Sequence, residues 1–163
     1  LDDNIFVKRP GLMNYDPNNS LSVLSHLERE INMLEILSKN PHKNIVKYLG
    51  VLIEDDRVVG ICLEKCKISL KDCIKQKVKI HKNKLLNDIE SGIRHMHSLG
   101  YIHDDINPNN IMIDNFGDTK IIDFDSSKKI SHPRRGKSGT EGWTNDSDIA
   151  LEENDFFSLQ KVK

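Results

Sequence analysis

Between His103 and Asn110 the sequence reads HDDINPNN, so Asp104, Asp105, Asn107, Asn109 and Asn110 crowd oxygen-bearing side chains into one polar turn. A further acid, Asp123, follows two short β-prone runs, IMI and TKII, that flank the turn DNFGD. Runs and turn together predict a β-hairpin. Counted between Asn110 and Asp123, its midpoint falls between Phe116 and Gly117. That predicts Asn110 opposite Asp123, with roughly 5 Å between Cβ atoms. An amide oxygen and a carboxylate are hard donors that suit magnesium, which takes one or two protein ligands and fills its sphere with phosphate and water. Asp105 precedes Asn110 by five residues, and Pro108 keeps the intervening segment out of helix, so it is expected beside the same point. A metal that neutralises phosphate charge, beside a carboxylate that orients and deprotonates a hydroxyl, makes a phosphoryl-transfer centre. The same Asn and Asp residues would equally cap turns at strand ends, and the hairpin by itself leaves both readings open.

Several elements must position these groups. NIFVKRP reads as a strand ended by Pro10, followed by the turn-rich GLMNYDPNNS. Leu21, Leu24, Leu27, Ile31, Leu34 and Leu37 recur at three- and four-residue steps and predict an amphipathic helix, with Ser20 as its N-cap. At about 100° per residue Glu30 falls within the arc bounded by Leu24 and Leu37, whereas Glu28 and Glu35 lie nearer its edge. A carboxylate on an inward face needs a partner, since burying it unpaired is costly. NIVKYLGVLIE and VVGICLEKC, joined by DDR, predict an antiparallel strand pair, and SLKDCI starts a short helix. The lysine-rich KQKVKIHKNK reads as a solvated connection. Leu85, Leu86, Ile89, Ile93 and Met96 form a second helical stripe, stopped by Gly100. A basic surface loop, SSKKISHPRRGKSGTEGW, follows the hairpin.

Composition excludes several function classes. The chain has 163 residues, 37% hydrophobic and 30% charged, with a formal net charge of −1. That balance gives no reason to expect nucleic acid or an anionic membrane as partner. No apolar run approaches the roughly 20 residues of a membrane span. Cys62, Cys66 and Cys73 are odd in number and lack metal-ligand spacing, so free thiols in a reducing compartment are expected, the cytoplasm or nucleus. His95 and His97, two residues apart on a helix, point in different directions. Beginning at Leu1, the chain is expected to be a processed or truncated product.

In register, these motifs resemble the eukaryotic protein kinase domain. HDDINPNN resembles the catalytic loop H-R-D-L-K-P-x-N, keeping His103, Asp105, Pro108 and Asn110, while DFD at Asp123–Asp125 resembles D-F-G. The steps of 18 residues from Asp105 to Asp123 and 13 from Asn110 to Asp123 agree with the family. FVKR resembles the lysine-bearing strand and REINMLEILSKNPHKNIVKYLGV the glutamate-bearing helix and the strand after it. ICLEKC resembles the hinge, with Leu63 as gatekeeper. GTEGW resembles the end of the activation segment, and ENDFFSL the start of the following long helix, with Asp155 at its structural aspartate.

The resemblance implies an α+β, protein kinase-like two-lobe fold, partial, running from the lysine-bearing strand to the start of that long helix. Residues 1–66 would form a partial small lobe and 67–163 a partial large lobe. It implies ATP and magnesium, a protein substrate and phosphate transfer to a serine or threonine hydroxyl. Asp105 would be the base and Thr140 would brace the loop. Lys8, oriented by Glu30, would hold the nucleotide phosphates. Glu64 to Cys66 would offer backbone groups to adenine, and Asn110 and Asp123 would ligate the metal. No glycine-rich phosphate loop precedes Lys8, so a fragment of a kinase domain, or a gene product reduced to its centre, is expected. Asp104 replaces the arginine that binds a phosphorylated activation segment, which argues against that control. Asn107 replaces the lysine that helps hold the transferred phosphate. Asp125 replaces a glycine, and A-P-E is absent. A pseudokinase or nucleotide-binding module is therefore the alternative, as is a small-molecule kinase of the aminoglycoside or choline type, which shares H-x-D-x-x-x-x-N and D-F-D.

Overall fold

A computed structural model describes residues 3–10, 20–134 and 139–163, with backbone alone at 20–24. NIFVKRP supplies strand β1 (Ile5–Lys8) and the leucine stripe supplies helix α1 (Ser20–Lys39). Ser20, the expected cap, is already helical in backbone; the GLMNYDPNN turn and the Leu21 and Leu24 side chains lie outside the described residues. The predicted strand pair is β2 (Tyr48–Glu54) and β3 (Arg57–Glu64). Its turn is the two-residue Asp55–Asp56, both left-handed at φ 48° and 57°, as the tightest hairpins require. Next come β4 (Ile68–Ser69) and α2 (Leu70–Lys75), capped where Ser69 Oγ accepts the Asp72 N–H. Helix α3 (Lys82–Ser98) takes its first turn from the lysine-rich stretch expected to be connection only. Strands β5 (Tyr101–Ile102), β6 (Ile111–Ile113), β7 (Thr119–Ile121) and β8 (Lys128–Lys129) follow, then helix α4 (Glu152–Val162).

The architecture is α+β. Strands in the order β1-β3-β2 form an antiparallel sheet, β4-β6-β7 a second, and β5 pairs with β8. The predicted inward residues of α1 and α3, among them Leu34, Leu37, Ile89, Ile93 and Met96, join Ile61, Leu63, Ile111, Ile121 and Phe124 in one apolar cluster. The segment 44–46 stitches this cluster across the molecule. Val46 N–H donates to Ile121 O at 3.0 Å, Ile121 N–H to Asn44 O at 2.9 Å, and Asn44 Nδ2 to Thr119 O at 2.9 Å. Helix α3 approaches the segment closely because Gly92 faces it, where a Cβ would stand 2.7 Å from Ile121 Cδ1 and 3.2 Å from Asn44 O. Cys62, Cys66 and Cys73 are all free thiols. Among the described residues no helix is long and apolar enough to cross a membrane.

The predicted hairpin forms, with its register one residue from expectation. Ile111 pairs with Ile121, Met112 with Lys120 and Ile113 with Thr119, so the ladder is centred on Phe116. Asn110 therefore faces Ile122, whose N–H donates to Asn110 O at 3.0 Å. Asp123 lies one residue beyond the pairing and is left-handed, at φ 66°. The cause is the turn. Asp114 Oδ1 accepts the N–H groups of both Phe116 and Asp118 at 2.9 Å, closing a symmetric five-residue loop. Asp125, which stands where the family has a glycine, is not among the positive-φ residues; the left-handed backbone falls on Asp123.

Gly92→Val is expected to lower unfolding free energy by about 1–3 kcal/mol through overpacking against Asn44 and Ile121, as a reduced urea midpoint with unchanged slope would show.

Candidate active site

Lys8 leaves β1 toward α1 and meets two carboxylates. Its Nζ lies 2.8 Å from both Glu30 oxygens and 2.9 Å from Asp123 Oδ1. Glu30 is 3% exposed, on the inward face that its helical phase predicted, while Glu28 and Glu35 are exposed. Burial works against the Lys8 charge, but Asp123 and Glu30 outweigh it and hold the lysine above its ordinary value of 10.5. The ammonium is therefore charged throughout the physiological range, and its stabilising contribution is lost only at strongly alkaline pH. Burial also pushes Glu30 above the usual carboxylate range, with Lys8 opposing it. The Lys8–Asp123 contact was not foreseen; it follows from Asp123 having been carried past the ladder.

The loop from His103 to Asn110 forms a second hydrogen-bonded group. Asp105, 6% exposed, accepts at Oδ1 from Thr140 N–H (2.7 Å) and Asn107 Nδ2 (2.9 Å), and at Oδ2 from Asn110 Nδ2 (2.8 Å). Asn107 Nδ2 also reaches Thr140 Oγ1 at 3.2 Å, so an amide bridges Asp105 and Thr140. With its NH₂ facing Asp105, Asn110 has its Oδ1 left to accept or to ligate. Asn110 and Asp123 thus belong to two separate groups, joined through the Ile122 backbone rather than facing each other across the hairpin. His103 Nε2 bonds Ile122 O at 3.0 Å, and its Nδ1 accepts the Asp105 N–H at 3.2 Å. Its ring meets the buried Phe124 edge-on, centroids 5.3 Å apart. Asp155, fully buried, accepts His103 N–H at 2.9 Å, Asp104 N–H at 2.8 Å and His97 Nε2 at 2.8 Å.

Beside Lys8 and Asp123 opens a largely apolar cleft of about 250 Å³, walled by Phe6, Val46, Leu63, Met112 and Ile122 and edged by Glu64 to Cys66. Of the expected hinge groups, the Glu64 N–H is taken by Lys47 O at 3.0 Å and the Lys65 N–H by Asn4 O at 2.9 Å. The Glu64 carboxylate accepts Lys47 N–H at 2.8 Å and meets Lys120 Nζ at 3.2 Å, so it braces the strand. The Cys66 N–H has no acceptor among the described residues. Burial, reinforced by Glu64, pushes the Cys66 thiol up to about 11, so it stays protonated at neutral pH. Among the described residues no group of three His, Cys, Asp or Glu side chains could hold a metal ion. Asp123 with the Asn110 amide oxygen is a donor set that fits magnesium, which asks for few protein ligands when phosphates supply the others.

Comparison with known proteins gives this geometry its family. The model of the protein kinase domain matches residues 11–150. The chain belongs to the protein kinase domain family. It is 30% identical to Homo sapiens myosin-IIIa over 142 residues, 78% of this chain and 9% of that protein. It is 32% identical to serine/threonine-protein kinase PSK1 of Saccharomyces cerevisiae over 113 residues, covering 66% and 8%. Among solved structures, a chain from the crystal structure of the yeast RNA Pol II CTD kinase CTDK-1 complex superposes with a TM-score of 0.72 at 19% identity, covering 95% of this chain and 51% of that one. This chain thus spans less than a tenth of the length of those two relatives. The matched span excludes Lys8, whose assignment rests on its contacts with Glu30 and Asp123.

One feature of this kinase domain had no counterpart among the sequence-based expectations. Asp104, at the position of the family arginine, is buried and left-handed at φ 64°. Lys128 Nζ lies 2.8 Å from its Oδ2 and Arg134 Nη2 2.7 Å from its Oδ1. Arg134 Nη1 also donates to Asn145 O at 2.9 Å and Ser147 O at 2.8 Å, and so ties the loop to the far end of the activation segment. Gly139 packs directly on the Asp104 carbonyl, where a Cβ would clash. The signal in the sequence was the acid itself, followed by basic residues in SSKKISHPRR; residues 135–138 of that loop lie outside the described residues.

Asp104→Ala strips the counter-charge from two buried cations and is expected to cost about 3–5 kcal/mol of stability. Arg134→Gln, which leaves Asp104 paired with Lys128, is expected to cost less, and urea titration of both variants ranks them.

Proposed function

We propose that this domain is an ATP-dependent protein kinase of serine/threonine type. The observation that carries the reading is a single ammonium, Lys8, held within 2.9 Å of both Glu30 and Asp123 at the mouth of an apolar cleft. Residues 1–66 and 67–163 would act as two lobes around that cleft. The apolar walls would take the adenine, with the Cys66 N–H and the Glu64 carbonyl at its edge. Lys8, fixed in place by Glu30, would hold phosphate oxygens. Magnesium, when bound by Asp123 and the Asn110 amide oxygen, supplies neutralisation of the phosphate charge. Asp105, fixed by three N–H donors, would accept the proton of the attacking hydroxyl, and Thr140 holds it in place. Catalysis here is chiefly positioning and charge stabilisation.

Serine/threonine specificity is supported by the similarity to PSK1 and by Thr140 standing against Asp105. The buried Asp104–Arg134 pair supports an activation segment ordered by its own charges, without the new arginine–phosphate contacts that phosphorylation otherwise supplies. Three free thiols support a reducing compartment, the cytoplasm or nucleus. A nucleotide-binding module without turnover is the second reading. It is favoured by Asn107, an amide where the family's lysine would neutralise the transferred phosphate.

Transfer of labelled phosphate from ATP to a generic basic protein tests the first reading. Asp105→Asn is expected to lower the rate by at least about 100-fold. Equal signals from the two proteins would remove the enzyme reading. Absent transfer with a magnesium-dependent nucleotide thermal shift would establish the binding module instead.

A further inference from the structure

Cys66 and Met112 line the nucleotide cleft, whereas their chain neighbours Lys67 and Ile113 line a second groove of about 520 Å³. Alternate residues of an extended chain face opposite ways, so the groove backs onto the cleft. Its walls come from the end of α2, the connection into α3, strand β6 and the hairpin turn. Val78, Ile80 and Ile113 give it an aliphatic lining, and Phe116 stands on its rim. Phe116 is 91% exposed, the most exposed large apolar side chain among the described residues. That ring sits on a rigid base. Asp114 closes the turn beneath it, and Lys84 Nζ buckles the turn to α3 through Asp118 Oδ1 at 2.8 Å and Asp88 Oδ2 at 2.7 Å. An exposed aromatic held in one place beside a lined groove is a feature of recognition surfaces.

Charge says what would fill it. Between Lys65 and Lys84 stand eight lysines against one acid, Asp72, in a chain whose net charge is −1. All eight lysines are exposed. Lys67 and Lys79 line the groove and have no carboxylate partner among the described residues. The one acid of the lining, Asp114, is engaged with the turn amides and with Lys120 at 3.8 Å. We propose that this groove docks an acidic peptide segment carrying aliphatic side chains, with carboxylates on Lys67 and Lys79 and an apolar anchor against Val78, Ile113 and Phe116. Bound there, such a segment would leave the cleft on the other face open, which suits the docking arm of a protein substrate. That substrate role rests on the kinase reading; the docking itself does not. A nucleic acid is disfavoured, because bases stack on aromatic platforms and the lining offers only the Phe116 and His81 rings beside Val78, Ile80 and Ile113.

Fluorescence anisotropy of a labelled acidic peptide of about 12 residues with two leucines, titrated with the full chain, tests the proposal. Saturable binding is expected, weakening as salt is raised through the range where exposed charges are screened. Lys67→Glu/Lys79→Glu, Phe116→Ser and a peptide with serine in place of leucine are each expected to bind about tenfold more weakly. Thermal midpoints of both protein variants should match the parent, since the altered side chains are at the surface. Phosphate transfer to a short generic peptide should also be unchanged in both. Absence of saturable binding overturns the proposal, as does binding insensitive to Phe116→Ser. A single-stranded oligonucleotide of equal charge that binds as tightly as the peptide also overturns it. Loss of transfer in the parent protein would count against the kinase reading alone, because peptide binding is read without turnover.

Discussion

A buried carboxylate in a helix stripe is costly unless something answers it, and Glu30 is answered by Lys8. That requirement fixes the distance between β1 and α1, and through Asp123 it fixes the β6–β7 hairpin to both. Three elements far apart in sequence meet on one ammonium. Because the lysine is partly exposed, with its side chain at 32%, the contact is oriented toward the cleft and open to a third anion. A phosphate is such an anion, and the apolar walls beside it suit a base.

Beneath that contact lies a second anchor. Asp155 in α4 accepts two successive N–H groups, those of His103 and Asp104, and a histidine of α3. The loop's backbone is thereby held by a fully buried acid, while the Asn107 and Asn110 side chains turn to Asp105. The replacements in the loop make physical sense against this frame. Asn107 spans the gap between Asp105 and Thr140 with one NH₂ group. Asp104 reverses the sign of its position and finds reversed partners in Lys128 and Arg134. Both changes preserve an ordered loop with a different set of charges.

Much of this was legible in the sequence because it follows from periodicity. The α1 stripe from Leu27 onward, the α3 stripe, the β2–β3 pair and the inward phase of Glu30 follow helical or strand spacing, and each stands where the pattern puts it. Register was less legible. The sequence shows a turn at DNFGD but not how many residues its side-chain bonds enclose, and one residue decided whether Asn110 faced Asp123 or Ile122. The ion pairs around Asp104 were hidden for another reason. They join residues 24 and 30 positions apart through a loop without periodicity, so only the packed chain reveals them. The Lys8–Asp123 contact spans 115 positions and depends on the same register.

The claim that Lys8 presents a charge to a nucleotide is tested most directly by thermal shift with magnesium and ATP on the parent chain and on Lys8→Met. The parent is expected to gain stability as nucleotide exceeds its dissociation constant, by about 2.7 kcal/mol at a hundredfold excess, and the variant to show little gain at the same concentrations. An equal gain in both would contradict the account, since the nucleotide would then be held without the ammonium on which the site is built.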